Sequence, residues 1–565
     1  MRVKLRHSTP TPFPPRAHKN PVRPFGGEKV HWTFSYFRLT PLEGGGRGRG
    51  VACLNLGWRP EPSFSMSALA NKISKSEGSP DIAVATVTAF SHDGGGVARL
   101  EGKAVFIEGA LPGERVRFRY VHRHKRYDSG GLVEVLEPSP HRVTPPCPHY
   151  GTCGGCDLQH LRPEIQLQAK QQILAEQLER LGKVKPESWL EPITGPALGY
   201  RRRARLGVRL VPSEGGVIMG FRQRNKSFLA NLETCLVLEP KVSALLPALH
   251  DLIAELSCPD RIPQIEVAVG DDNFAGSEKR HRRSGTGKYR LRSRGRNVPI
   301  AEQRMQIERA SARPEGERAR DGAPNASALV FRHLVPLTEQ DKKLLIAFGE
   351  RHEVRIYQQA ARPDSIAPLW PANPEPLFYR IPAFDVEIRF DPADFIQINA
   401  AVNNATVEQA VKLLEPAPND TVLDLFCGLG NFTLPLARRA GHVLGVEGEA
   451  ALVNRARANA RLNHITNAEF VSADLYRESA GAAWVDGKAN KLLLDPPRGG
   501  AMEALKSLVE PLPSRIVYVS CHPATLARDS EYLVRVLGYR FAAAGVMDMF
   551  PQTSHVESMA LFVKP

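Results

Sequence analysis

At 565 residues with 42% apolar content, the chain is long enough for about three domains with cores of their own. No run of about 18 apolar residues marks a membrane span, and the N-terminus has no apolar segment of the signal-peptide type, so neither a membrane protein nor a secreted one is predicted. Eight cysteines in so long a chain predict a reducing cytoplasm, with thiols kept for metal or catalysis rather than for disulfides.

The net charge of +15 is unevenly placed. Residues 1–65 carry 11 Lys/Arg against 3 Asp/Glu, and residues 276–324 carry 14 against 6, so that the rest of the chain is near neutral. Both basic stretches are rich in Arg and Gly and lack sustained periodicity, and both are predicted to be disordered, one an extension and the other an insertion. Met66 is a candidate for the true start. Any argument for nucleic acid must therefore rest on local clusters.

In chain order, Ile82–Val87, Lys103–Ile107 and Arg115–Tyr120 read as short strands, separated by Gly94-Gly95-Gly96, Pro112-Gly113 and Gly130-Gly131. That spacing predicts a small β-barrel over 75–138. Asp93–Ala98 and Ala110–Glu114 resemble a TRAM domain, an OB-like RNA-binding barrel, with His122–Tyr127 as a basic edge. A central α+β region over 139–390 follows. It opens on Cys147, Cys153 and Cys156, with Cys235 as a candidate fourth thiol. Four thiolates hold zinc or an iron–sulfur cluster, and spacing alone leaves both open. Leu167, Leu174, Leu178 and Leu181 form a helical stripe for core packing, closed by Gly182. Residues 200–240 alternate like strands, and Arg201, Arg202, Arg203 and Arg205 form a basic cluster suited to phosphate.

From 391 to 565 strands and helices alternate. Val422–Phe426, His442–Glu447, Ala468–Val471, Lys491–Asp495 and Arg515–Val519 predict a doubly wound, Rossmann-like α/β sheet with its ligands at the strand ends. Asp424-Leu425-Phe426-Cys427-Gly428-Leu429-Gly430 ends the first strand, and Glu447 ends the second, where an acid accepts bonds from ribose hydroxyls. Thr433 stands where a dinucleotide fingerprint wants Gly or Ala, which favours S-adenosylmethionine over a nicotinamide cofactor. Asp495-Pro496-Pro497-Arg498 has arginine where amino methyltransferases carry a stacking aromatic, and this suits a ring carbon instead. Methylating C5 of a pyrimidine requires a thiol to activate the ring and a base to remove the C5 proton.

Val517–Asp529, containing Ser520-Cys521-His522-Pro523, and Met547–Ser558, containing Ser554-His555-Val556-Glu557, resemble the two C-terminal motifs of the RNA (uracil-5-)-methyltransferases. The likeness covers roughly 80–275 and 325–565. It implies Cys521 as nucleophile and Glu557 as proton acceptor. It further implies Gln397, Phe426, Asn431, Glu447, Asp474 and Asp495 as S-adenosylmethionine contacts, and a [4Fe-4S] cluster on the four cysteines. His522 departs from the expected asparagine. Cys427 reads as a packing residue, and His555 either orients the motif or satisfies a backbone group. The barrel and the cysteines favour the 23S ribosomal RNA branch over the tRNA branch, with a monomer acting on RNA and no DNA or membrane partner. Two rivals stay open: cytosine-C5 methylation, and a non-catalytic RNA-binding assembly factor.

Overall fold

The computed structural model describes residues 82–214, 216–272, 326–360, 362, 365–477 and 487–565. The extension 1–65, the Met66 start and the insertion 276–324 lie outside them.

β1 (Ile82–Phe90), β2 (Gly96–Leu100), β3 (Lys103–Glu108), β4 (Arg115–Arg123) and β5 (Tyr127–Glu137) close into a barrel in the order β1-β2-β3-β5-β4. Three strands were legible; β2 and β5 were not. Gly130-Gly131, read as a separator, lies inside β5, because a Cβ at Gly130 would collide with the Phe118 ring of the neighbouring strand. Val87, Ala98, Val105, Ile107, Val116 and Phe118 fill the interior.

Helix α1 (Pro163–Arg180) takes the predicted place of the leucine stripe. Leu174 and Leu178 are buried, but Leu181, beyond the helix end, is 53% exposed. The central sheet runs β12-β11-β10-β9-β7-β8, formed by β7 (Arg203–Val211), β8 (Gly216–Gly220), β9 (Gln264–Val269), β10 (Ser327–Arg332), β11 (Arg355–Gln359) and β12 (Ile366–Trp370). Val269 pairs directly with Ser327 in one antiparallel ladder of β9 and β10. The alternation expected through 240 stops at Gly220, and the backbone then follows an irregular path whose bonds go to the cysteine loop.

The hairpin β13 (Leu377–Ile381) and β14 (Val386–Phe390) leads into α2 (Ala400–Leu414) and an eight-stranded sheet. Its order is β17-β16-β15-β18-β19-β21-β20-β6. The parallel part comprises β15 (Thr421–Leu425), β16 (His442–Glu447), β17 (Ala468–Ser472), β18 (Lys491–Leu494) and β19 (Arg515–Ser520), the five predicted strands. β20 (Arg540–Met547) and β21 (Glu557–Val563) add an antiparallel end that the pattern did not reveal. β6 (Ser188–Trp189) joins β20 from within the range expected for the central domain. Apolar residues recur on both faces of β15, β18 and β19, as a sheet covered on both sides requires. Among the described residues no helix is long and apolar enough to cross a membrane.

Candidate active site

The sheet positions the site through its strand ends. Beyond β15 the chain turns on three left-handed residues, Phe426 (φ 66°), Gly428 (φ 54°) and Gly430 (φ 94°). Glycine takes such angles without cost; a side chain there is strained and is usually held by function. Glu447 at the end of β16 accepts the Gly428 N–H at 3.1 Å and the Glu449 N–H at 3.1 Å, which fixes its carboxylate beside the turn. Asp424 is fully buried, accepts the Thr433 hydroxyl at 2.5 Å, and leaves Oδ1 without a partner. Burial first, then Asp495 and Glu447, push its carboxyl up to about 7 against the opposing bond from Thr433.

A cavity of about 760 Å³ opens over these ends, within the range of small-molecule sites. It is lined by Gln397, Phe426, Asn431, Glu447, Asp474, Asp495, Cys521 and Glu557 together, that is, by every residue expected for methyl donor and catalysis. Its acids suit a cationic ligand such as a sulfonium. Asn431 is locked in place: it exchanges amide bonds with Asn403 at 3.0 and 3.1 Å and accepts the Tyr379 hydroxyl at 3.1 Å. Asp474 accepts the Tyr476 N–H at 3.0 Å. Cys427 is buried in the core, where its sulfur would sit 3.0 Å from a Cβ at Gly445.

Cys521 and Glu557 are 36 positions apart in sequence and meet through sheet register. β19 and β21 run antiparallel with Ser520 opposite Ser558. One step further along the ladder sets Cys521 across from Glu557. Burial pushes the Cys521 thiol up to about 12, with Glu557 and Asp495 adding to it and Arg498 opposing. Burial likewise raises Glu557 to about 8, with Asp495 adding and Arg498 and Lys170 opposing. Asp495 rises to about 7 through burial. Arg498 is therefore the cation that favours the deprotonated forms of both groups, a role its motif position did not disclose. Its Nη2 donates to His555 Nδ1 at 3.1 Å, so His555 faces a side chain rather than a backbone group. His522 leaves Nδ1 buried without a partner.

The loop carrying Glu557 is held from outside the sheet. The buried Lys170 of α1 donates to Asp548 at 2.7 Å and to the Phe550 carbonyl at 3.0 Å. Asp157, next to Cys156, accepts from the N–H and hydroxyl of Ser554 at 2.8 and 2.7 Å. His92 and Asp93 of the barrel line a second cavity with Cys521, His522 and Arg498. Sequence reasoning missed Lys170, Asp157 and His92, because their partners lie hundreds of positions away.

Cys147, Cys153, Cys156 and Cys235 line one small pocket. The Gly155 N–H points at Cys153 Sγ at 3.3 Å, and a Cβ at Gly154 would come within 2.9 Å of the Arg222 carbonyl. Burial raises all four thiols, Cys235 to about 11. Among the described residues no group of three or more His, Cys, Asp or Glu is arranged to hold a metal ion.

A family model for tRNA (Uracil-5-)-methyltransferases matches residues 380–564, and a TRAM domain model matches 84–119. Several relatives carry the name 23S rRNA (uracil(1939)-C(5))-methyltransferase RlmD, two of them as follows. The one from Acidithiobacillus ferrooxidans is 45% identical over 84% of this chain and 96% of its own length; the one from Alkalilimnicola ehrlichii is 46% identical over 84% and 95%. The crystal structure of Pyrococcus abyssi tRNA (uracil-54, C5)-methyltransferase, in complex with S-adenosyl-L-homocysteine, shares the fold with a TM-score of 0.59 and 22% identity, over 85% of this chain and all of that one. The chain carries the methyltransferase fold of S-adenosylmethionine-dependent enzymes with a TRAM barrel before it, and it belongs to the family of 23S rRNA (uracil-C5)-methyltransferases.

Proposed function

We propose that this chain methylates C5 of a uridine in 23S ribosomal RNA through a temporary bond between Cys521 and C6 of the ring. The meeting of Cys521 and Glu557 in one acid-lined cavity supports this most strongly. When bound, S-adenosylmethionine supplies an electrophilic methyl group on sulfur. Gln397, Phe426, Asn431, Glu447, Asp474 and Asp495 would hold it. The Cys521 thiolate adds to C6, and the electron pair of the C5–C6 bond moves toward O4. C5 thereby becomes nucleophilic and takes the methyl group. Glu557 then removes the C5 proton, and the C6–sulfur bond breaks to free the thiolate. The target base leaves its helix to reach so enclosed a thiol.

Incubated with methyl-labelled S-adenosylmethionine, the purified protein should label a 23S rRNA transcript as 5-methyluridine. Label recovered as 5-methylcytidine, or RNA binding with no label, would overturn the assignment.

We further assign Cys147, Cys153, Cys156 and Cys235 to a [4Fe-4S] cluster that braces the central region. A cluster spreads its thiolates more widely than a single ion does, so four thiols around one void support it without standing at the ~2.3 Å reach of one zinc. Burial makes these thiols weak acids, and bound iron would favour the thiolates that ligation needs. Cys156→Ser should remove iron and inorganic sulfide from anaerobically purified protein, together with the visible absorbance. Zinc in place of iron in the unaltered protein would overturn the assignment.

A further inference from the structure

Residues 221–229 fold back on themselves beside the cysteine loop. Ala230 N–H donates to the Phe221 carbonyl and Gln223 N–H to the Phe228 carbonyl, each at 2.8 Å, while Asn225 turns the tip at φ 54°. Phe228 is 68% exposed, and Arg222, Asn225 and Lys226 are exposed around it. Neither Arg222 nor Lys226 has an acid partner among the described residues. The exposed ring and the cations beside it form one surface that is both flat and apolar and positively charged, the combination that single-stranded nucleic acid fits.

The hairpin is firmly tethered at both sides. Gly154 N–H donates to the Arg222 carbonyl at 2.8 Å, and Arg224 N–H to the Thr152 carbonyl at 3.0 Å, both within the cysteine loop. On the barrel side, Glu108 accepts from Arg224 at 3.0 Å and from Asn225 at 2.6 Å. At the root, the Arg201 guanidinium lies 5.1 Å from the Phe221 ring centre. Arg201 itself pairs with Asn399, two residues beyond Gln397 of the catalytic cavity.

We propose that this hairpin is a second RNA contact, in which Phe228 stacks on an unpaired base while Arg222 and Lys226 hold flanking phosphates. The proposal rests on the RNA-methylation reading above. A polyanion with flat, exposed bases matches both features, since phosphates pair with the cations and any base offers a face to the ring. An acidic protein surface would use the cations but give the ring no stacking partner.

The test uses the full-length, iron-loaded protein and a 23S rRNA fragment that it methylates. Phe228→Ala should weaken binding of the fragment by roughly 5- to 150-fold, the range for loss of one stacked base, while Phe228→Tyr binds normally. Arg222→Gln with Lys226→Gln should flatten the salt dependence of binding by about 1 for each cation removed. The rate at saturating RNA and the iron content should stay unchanged in all three. If Phe228→Ala and the double variant bind the fragment as tightly as the unaltered protein, with the same salt slope, the hairpin is not an RNA contact. Failure of the unaltered protein to methylate the fragment would instead overturn the methylation reading, and the binding comparison would still stand by itself.

Discussion

Glu557→Gln should turn a catalyst into a trap. Glutamine keeps the shape and the strand pairing of β21 with β19 and β20 but accepts no proton. In the proposed mechanism thiol addition and methyl transfer both precede the step assigned to Glu557, so the RNA should halt as a methylated adduct on Cys521. Turnover should fall by about 10²- to 10⁴-fold, the usual worth of a positioned general base. A denaturing gel should show a protein–RNA band that appears only with S-adenosylmethionine and disappears on proteolysis. Normal turnover with no such band would assign the proton transfer to another group.

Much of this site was legible because its chemistry sits at strand ends. A buried parallel strand is a short apolar run, and the residue that breaks the run marks where the ligand binds. Glu447, Asp495 and Cys521 follow that rule, whereas Asp424 stands inside β15, fully buried behind the cavity wall. Glu557 does not, since it begins the antiparallel β21, and only the resemblance linked it to Cys521. The barrel was half legible for a related reason. Gly130-Gly131 reads as a turn in any local window, yet the Phe118 ring packed over it makes it strand. Likewise Leu181 fits a helical stripe that ends one residue earlier, so it reaches solvent.

Contacts between distant segments were not legible at all. Asp157 grips Ser554 from 397 positions away and Lys170 grips Asp548 from 378. Neither bond has a sequence signature. Together they give the cysteine loop and α1 a mechanical purpose. Asp157 directly follows Cys156, so a group that stiffens the cysteine loop also stiffens the grip on the loop leading to Glu557. An ion pair on the nearly inaccessible Lys170 (1% exposed side chain) is costly to break, because one partner would remain buried and charged. The proposed cluster would in this way serve catalysis by holding backbone, without transferring electrons.

Cys521→Ala should abolish methyl transfer while leaving S-adenosylmethionine binding and the sheet intact, because the thiol is only partly buried and lies beyond the last pair of β19. Cys427 also borders the cavity, but it is only 4% exposed and burial holds its thiol well above its ordinary range, so it does not take over the role. The pH profile of the unaltered enzyme adds a second check. Only the thiolate adds to C6, and in the RNA-free cavity the thiol is raised to about 12 while Glu557 is raised to about 8. Both reactive forms are the deprotonated ones, and both constants lie at or above neutrality. kcat/KM should therefore climb from pH 6, with a bend near pH 8 where Glu557 ionises; the two groups titrate as a coupled pair. Arg498 lowers both constants, so Arg498→Gln should reduce kcat/KM and move the bend to higher pH, whereas Arg498→Lys should largely restore it. A profile flat from pH 6 to 9, or an Arg498→Gln bend displaced toward acid, would remove the thiol–carboxylate pair from the rate-determining chemistry.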